Sequence, residues 1–220
     1  MAEDLNGAIS QAMQICFDET HGYKIGATMN PDTDCSGLIG YCLANHGFNV
    51  NPRWDTGDMI TTLSNYAGFT HYVWSPNFVL QHGDIVVYDE GGGEYGHAFI
   101  YAQNIYGYLA TDDENVDTNP CSSSQGFLPQ ARIEASSSRK HWYPGTRDPI
   151  PGDQANANGC HSEVWVHAYA PPSTSHVWHV FRWFDSPTPP LPISIEELLI
   201  ISSRNKKRRG VIDYESIRYL

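Results

Sequence analysis

Apolar residues recur at helical spacing in three segments of the first third of the chain. Residues 2–20 predict an amphipathic helix, because an apolar side chain occupies every fourth position. These positions are Leu5, Ile9, Met13 and Phe17. Further helices are predicted over residues 36–46 and 55–67, and Asp55 or Thr56 is expected to cap the last of them.

Short runs of apolar and aromatic residues follow the predicted helices, and their composition is typical of β-strands. The runs are 69–74, 84–89, 97–102, 105–111, 164–169 and 176–183. The runs 97–102 and 105–111 are expected to be separate strands joined by a turn at Asn104 or Gly107.

Two polar segments interrupt this pattern. Residues 112–162 are rich in Pro, Ser, Gly and Asn, and they are too long for an ordinary connection in a compact domain. We therefore expect an inserted loop there, or a lid over a site. Residues 185–192 are rich in proline and predict a linker, so that residues 1–184 form one folded domain and 185–220 a linker with a basic tail.

The charge is distributed unevenly along the chain. The formal net charge is −12, and residues 185–220 contain six basic and five acidic residues. Residues 1–184 therefore hold seven basic against twenty acidic residues. Such an acidic body would repel phosphates, which argues against nucleic acid as its partner.

Cysteine usage and hydropathy narrow the kinds of site and the cellular compartment that we expect for this chain. The five cysteines form no CxxC pair, which disfavours zinc-ribbon and thioredoxin-like sites. The first residues lack a basic and apolar leader, and no apolar run has the length of a membrane span. We expect synthesis in a cytoplasm, so that any action outside the cell needs a separate route of release.

A cysteine and a histidine stand in contexts that suit nucleophilic catalysis. The run Asp34-Cys35-Ser36-Gly37 lies where a loop meets the second predicted helix, and a helix N-terminus stabilises a thiolate. Downstream, His97 opens a predicted strand after Gly96. A cysteine and a histidine that are distant in sequence and adjacent in space form a known nucleophile arrangement.

The order of these motifs resembles the NlpC-type and CHAP-type cysteine peptidases. D-C-S-G begins a helix, and G-D-I-V-V-Y and G-H-A-F-I-Y follow on strands. Tyr23 and the segments 65–69 and 177–182 match the branch of bacteriophage peptidoglycan hydrolases typified by a phage amidase. The resemblance covers residues 5–184 apart from much of 112–162. It implies a papain-like α+β fold, with N-terminal helices packed on a central antiparallel sheet.

The resemblance also implies a catalytic assignment in which residues 1–184 are a cysteine hydrolase domain. Cys35 would be the nucleophile and His97 its general base, and no metal or cofactor is needed. Asp112 on the strand after His97 would orient the imidazole, with Asp113 as the alternative.

Substrate and partners follow from the same resemblance. Tyr23, Asp34 and Ser36 would contact the substrate or the oxyanion. The substrate would be bacterial peptidoglycan, cut at the N-acetylmuramoyl-L-alanine bond or within the stem peptide. The protein would act after holin-type release or as part of a virion, whose particle proteins the C-terminal tail would contact.

Other interpretations of the same residues remain open. Cys35 can be a small buried hydrophobe and His97 a structural histidine, and Cys16 and Cys42 fit core packing. Cys121 and Cys160 are expected to be free thiols rather than a disulfide or metal ligands with His141 or His161. As a whole, the chain can instead be a papain-like transferase or deamidase, or a non-catalytic phage structural protein.

Overall fold

The structure is a computed structural model that describes residues 2–17, 21–29, 32–91, 96–108, 125–136 and 164–185. Within these ranges the chain forms three helices and then six strands. The helices are α1 (Leu5–Phe17), α2 (Cys35–Asn45) and α3 (Thr56–Asn65). The strands are β1 (Phe69–Val73), β2 (Ile85–Asp89), β3 (Gly96–Tyr108), β4 (Gln125–Ala135), β5 (Val164–Ala168) and β6 (His179–Trp183).

The predicted helices are confirmed, and side-chain caps define where two of them begin. Asp34 caps α2 by accepting a hydrogen bond from the Gly37 backbone N–H, and Asp55 caps α3 in the same way through Asp58. The helix α2 ends before Gly47, whose positive φ of 89° suits glycine. The buried face of α1 consists of Leu5, Ala8, Ile9, Ala12, Ile15 and Cys16.

The six strands form one sheet in the order β1-β6-β2-β3-β4-β5, in which every neighbouring pair is antiparallel. The three helices precede the sheet in sequence, and the main hydrophobic core lies between α1, α2, α3 and one face of it. This arrangement confirms the expected α+β fold with N-terminal helices on a central antiparallel sheet.

The strand β3 shows how the two faces of the sheet differ. Its alternate residues Ala98 and Ile100 join the core under the helices, whereas Phe99 and Tyr101 join a second, mainly aromatic cluster. The Arg132 guanidinium lies 4.2 Å from the Phe99 ring centroid and therefore belongs to the second face. Glu134, which alternates with the core residues Ile133 and Ala135, lies beside Arg132 on this second face.

Two parts of the strand prediction were wrong. Residues 125–135, assigned to an inserted loop, form β4 and pair with β3. The chain also does not turn at Asn104 or Gly107, because β3 continues from Gly96 to Tyr108. Asn104 has a positive φ of 56° but stays within this strand. The rest of the predicted lid and the tail after residue 185 lie outside the described residues.

Candidate active site

Cys35 is the first residue of α2, as its motif indicates. Asp34 Oδ1 accepts a hydrogen bond of 2.6 Å from Gly37 N, which fixes the first turn of the helix around the thiol. The residue is buried, at 5 % exposure. The partial positive charge of the helix N-terminus therefore acts on Cys35 with little solvent screening.

The loop before α2 is fastened to the same aspartate. Asp34 Oδ2 accepts a 2.7 Å hydrogen bond from Gly26 N, so the two oxygens of one carboxylate join the loop to the helix. A β-bridge between Tyr23 and Thr33 closes the base of the loop. Gly37 has no space for a side chain, because a Cβ there would collide with the Ala27 carbonyl oxygen.

Ser36 connects α2 to the segment that precedes α3. Its hydroxyl lies 3.0 Å from both Asp34 Oδ1 and the Trp54 carbonyl oxygen, and its own carbonyl accepts a 2.9 Å hydrogen bond from Trp54 Nε1. The hydrogen bonds of the Asp34 and Ser36 side chains thus join the loop, the helix α2 and Trp54 to one another. Both residues also line the cavity beside Cys35.

His97 comes from the sheet and faces the thiol. It is the second residue of β3 and pairs with Tyr88 on β2, and its imidazole lies close enough to Cys35 for the thiol to raise its pKa. Gly96 lets the start of β3 lie close to α3, because a Cβ there would collide with the Thr56 hydroxyl and lie 2.7 Å from the Tyr88 carbonyl oxygen. Cys35 and His97, which are 62 positions apart in sequence, are therefore brought together as expected.

Glu134 on β4 is the third member of the cluster. Its Oε2 lies 2.9 Å from His97 Nε2, which leaves Nδ1 as the ring nitrogen that can face Cys35. Its Oε1 lies 3.0 Å from Nε2 of His167 on β5. The Glu134 side chain is completely buried, and Arg132 Nη1 approaches Oε2 at 3.7 Å.

The buried charges shift one another's ionisation. Burial alone would lower the pKa of His97, but the Glu134 carboxylate and the hydrogen bonds with Cys35 and Glu134 outweigh it, raising this pKa from 6.5 to about 10. Burial alone would raise the pKa of Glu134, but His97 and His167 hold it well below its usual range. An imidazolium on His97 and a carboxylate on Glu134 are thus the stable forms at neutral pH.

A cavity of about 210 Å³ opens beside the thiol. Tyr23, Cys35, Trp54 and Gly96 line it. Charged residues stand on the wall formed by the start of α3 and the residues before it: Arg53, Asp55 and Asp58. The cavity therefore combines the Cys35 thiol with side chains of both charges, which suits a polar substrate that carries charged groups.

The remaining site predictions have mixed outcomes. Tyr23, Asp34 and Ser36 all line the cavity with Cys35. Asp112 and Asp113 lie outside the described residues, and the observed partner of His97 is Glu134, which sequence reasoning missed. A signal was present, because polar Arg132 and Glu134 alternate with apolar residues in a strand-like pattern.

The described ranges contain neither a metal-binding cluster nor a membrane-spanning helix. No group of three or more His, Cys, Asp or Glu side chains there is placed to hold a metal ion. None of the helices in those ranges has the length and apolar character needed to span a membrane.

A sequence model of the NlpC/P60 family matches residues 20–132, just over half of the 220-residue chain. The matched region contains Cys35 and His97, and it ends two residues before Glu134. No curated protein matches the chain.

Proposed function

The chain belongs to the NlpC/P60 family, a cysteine peptidase family of papain-like fold, and we propose that it hydrolyses an amide bond of bacterial peptidoglycan. The observation that carries the proposal is the contact of Cys35, at a helix N-terminus, with a histidine that is paired to a buried carboxylate. The family itself points to cell-wall peptidase activity.

In the proposed reaction the Cys35 thiolate attacks the carbonyl carbon of the scissile amide. The carbonyl π electrons move to oxygen, and the tetrahedral intermediate collapses with loss of the amine. His97 Nδ1 protonates the leaving nitrogen, which gives a thioester and a neutral imidazole. Water then attacks the thioester while His97 accepts its proton, and cleavage of the carbon–sulfur bond releases the acid and the thiolate.

The negative charge on the intermediate requires fixed hydrogen-bond donors. The backbone N–H of Cys35 is one candidate, because N–H groups in the first turn of a helix have no partner within that helix. Tyr23 lines the same cavity, and we assign it to substrate or oxyanion contact. Asp34 and Ser36 support the site by holding the loop, the helix and Trp54 together.

Glu134 takes the role that the sequence analysis gave to Asp112. Its carboxylate is within hydrogen-bond distance of His97 Nε2, so it holds the ring with Nδ1 toward Cys35 and stabilises the imidazolium. Loss of the orienting carboxylate in comparable triads lowers kcat by about 10⁴-fold.

We assign the scissile bond to the muramoyl-L-alanine amide or to a bond within the stem peptide. The cavity wall supports a peptide substrate with charged groups, because Arg53, Asp55 and Asp58 present both signs of charge. The resemblance of the motifs to phage lysins supports a role as an endolysin or virion-associated lysin, reaching the wall after holin-type release or on a particle. Contacts of residues 185–220 with particle proteins belong to the same proposal.

Product analysis tests the proposed reaction and identifies the bond. Purified protein is incubated with sacculi, and the soluble fragments are analysed by mass spectrometry. New L-alanine amino termini identify an amidase, whereas new termini within the stem peptide identify an endopeptidase. Intact sacculi together with a reactive Cys35 would instead indicate the transferase or deamidase alternative, and an inert Cys35 the structural one.

A further inference from the structure

We propose that His167 is a positioning residue of this active site, acting on His97 through the Glu134 carboxylate. The inference rests on the proposed function for its catalytic meaning. His167 Nε2 lies 3.0 Å from Glu134 Oε1, while His97 Nε2 lies 2.9 Å from Glu134 Oε2. Each oxygen of one buried carboxylate thus has its own histidine.

The protons of this cluster follow from the charge of Glu134. The carboxylate is ionised because its two histidine partners hold its pKa well below the usual range, despite its burial. An ionised carboxylate only accepts hydrogen bonds, so both Nε2 atoms must carry protons and donate them. The Nε2–H group of His167 therefore supports the anionic form of Glu134, and that anion keeps His97 protonated.

The ring of His167 is held in position by its neighbour on β5. The Trp165 and His167 rings stack with centroids 3.8 Å apart and planes 16° from parallel. Both residues are completely buried. The stacking holds the plane of the His167 ring, so the edge of the ring that carries Nε2 stays directed at Glu134.

Fixing the second oxygen of Glu134 fixes the plane of the whole carboxylate. With one hydrogen bond, the group can rotate about its terminal torsion, which has a broad range of low-energy angles. With both oxygens held, Oε2 remains directed at His97 Nε2. The thiol-facing Nδ1 of His97 then keeps its direction through the proton transfers of the reaction.

The other groups around the cluster show why a histidine suits this position. Arg132 on β4 already places a positive charge 3.7 Å from Glu134 Oε2. Two residues lie next to His97: Cys35 of α2 contacts its ring, and Tyr88 of β2 pairs with it across the sheet. Burial raises the pKa of Cys16 on α1, and the negative charge of Glu134 also raises it. The imidazole at position 167 adds an N–H donor for Glu134 Oε1 to this buried set.

Two substitutions of similar polarity separate the effect of losing the hydrogen bond to Glu134 from the effect of losing the imidazole ring. In His167→Gln, the amide nitrogen occupies a position close to that of Nε2 and can still donate to Glu134. In His167→Asn, the shorter side chain places its amide near the former Nδ1 and out of reach of Oε1. His71→Asn, on the exposed strand β1, is the matched control for loss of a sheet histidine.

The measurement is the titration of His97 by NMR of the full chain with isotope-labelled histidine, and the resonance is assigned with His97→Gln. We expect the midpoint to fall by about 1 pH unit in His167→Asn and to stay at the wild-type value in His167→Gln and His71→Asn. An unchanged midpoint in His167→Asn, or an equal fall in His167→Gln, would overturn the proposal. These spectra need no substrate, so they remain informative even if sacculi are not cleaved.

A measurement on the unmodified protein keeps the proposal testable where His167→Asn does not fold. Couplings between ring nitrogens and carbon-bound protons show which nitrogen of each histidine is protonated. We expect a proton on Nε2 of His167 at neutral pH. A His167 ring protonated only at Nδ1 could not donate to Glu134, and this result would overturn the assignment.

Discussion

Glu134 Oε2 lies 2.9 Å from His97 Nε2, although the two residues are 37 positions apart and lie on neighbouring strands. The pairing of β3 with β4 creates this contact, because it sets Ile100 opposite Ile133 and so aligns the start of β3 with the end of β4. The carboxylate therefore holds a histidine whose other nitrogen faces Cys35. The expected properties of the site follow from this geometry.

Replacement of Glu134 by glutamine should impair catalysis more than folding. The amide keeps the shape of the side chain but removes the charge that stabilises the His97 imidazolium. We expect the rate of peptidoglycan hydrolysis to fall by about 10²–10⁴-fold, the range of general acid–base contributions. Glu90→Gln is the control, since Glu90 also pairs with a histidine, His176 at 2.8 Å, but is exposed. Equal rates for wild type and Glu134→Gln would contradict the role of Glu134.

Alkylation should distinguish Cys35 from Cys42, which lies two turns later in the same helix. Burial raises the pKa of Cys42 to about 12, so its thiol should not react near neutral pH. Cys35, paired with the His97 imidazolium, should react with iodoacetamide at about pH 6. Trypsin leaves both cysteines in the peptide 25–53, where fragment ions tell them apart. Labelling of neither residue, or of both at one rate, would count against an activated Cys35.

The stability of the fold should depend on His97 at alkaline pH. Its pKa is raised from 6.5 to about 10 in the folded state, where Glu134 and Cys35 outweigh burial. Its stabilising effect is therefore complete below pH 6.5 and is lost as the pH rises toward 10. Thermal unfolding between these limits should show a falling Tm in wild type and a flatter profile in His97→Gln. A wild-type profile as flat as that of the variant would show that the imidazolium is not stabilised.

Asp84, in the motif Gly83-Asp84, should be essential for folding rather than for catalysis. Its buried carboxylate accepts hydrogen bonds from Arg182 Nε at 2.8 Å and Nη2 at 2.6 Å, and from Gln81 N at 2.7 Å. Removal of one partner of such a buried pair typically costs about 3–5 kcal/mol. We expect that loss in the free energy of unfolding for Asp84→Asn, measured by denaturant titration. Arg182→Lys, which keeps the charge, should lose less, and a fully stable Asp84→Asn would contradict this role.

The structural positions of Cys35 and His97 could be predicted from the sequence because their signals are local. Cys35 stands after an aspartate N-cap at the start of an apolar helix, and His97 begins a strand rich in apolar residues. The start of the helix and the start of the strand can each be recognised from the surrounding residues, whereas the roles proposed for Cys35 and His97 depend on the order of the motifs along the chain. The cap at Asp55 can also be recognised locally, because it depends on a backbone group three residues away.

The carboxylate partner of His97 could not be predicted, because this pairing depends on contacts between distant segments of the chain. Glu134 lies on a strand that follows a long polar stretch, so the segment appeared to be part of an inserted loop. The alternation of Ala131, Ile133 and Ala135 with polar residues indicates a strand, but it does not show which strand is its neighbour. A glutamate in sequence also gives no sign of burial, which here depends on partners from β3 and β5.

The central claim is that Cys35 forms a bond with the substrate carbonyl, and loss of sacculus turbidity tests it most directly. Wild type, Cys35→Ala and Cys42→Ala are compared at equal concentration, after their folding has been checked by thermal unfolding. Both variants remove one buried thiol from α2, so any difference between them reflects the chemical role of the thiol and not the loss of a buried side chain. The account predicts clearing by wild type and Cys42→Ala, and none by a folded Cys35→Ala. Clearing by Cys35→Ala at the wild-type rate would contradict it.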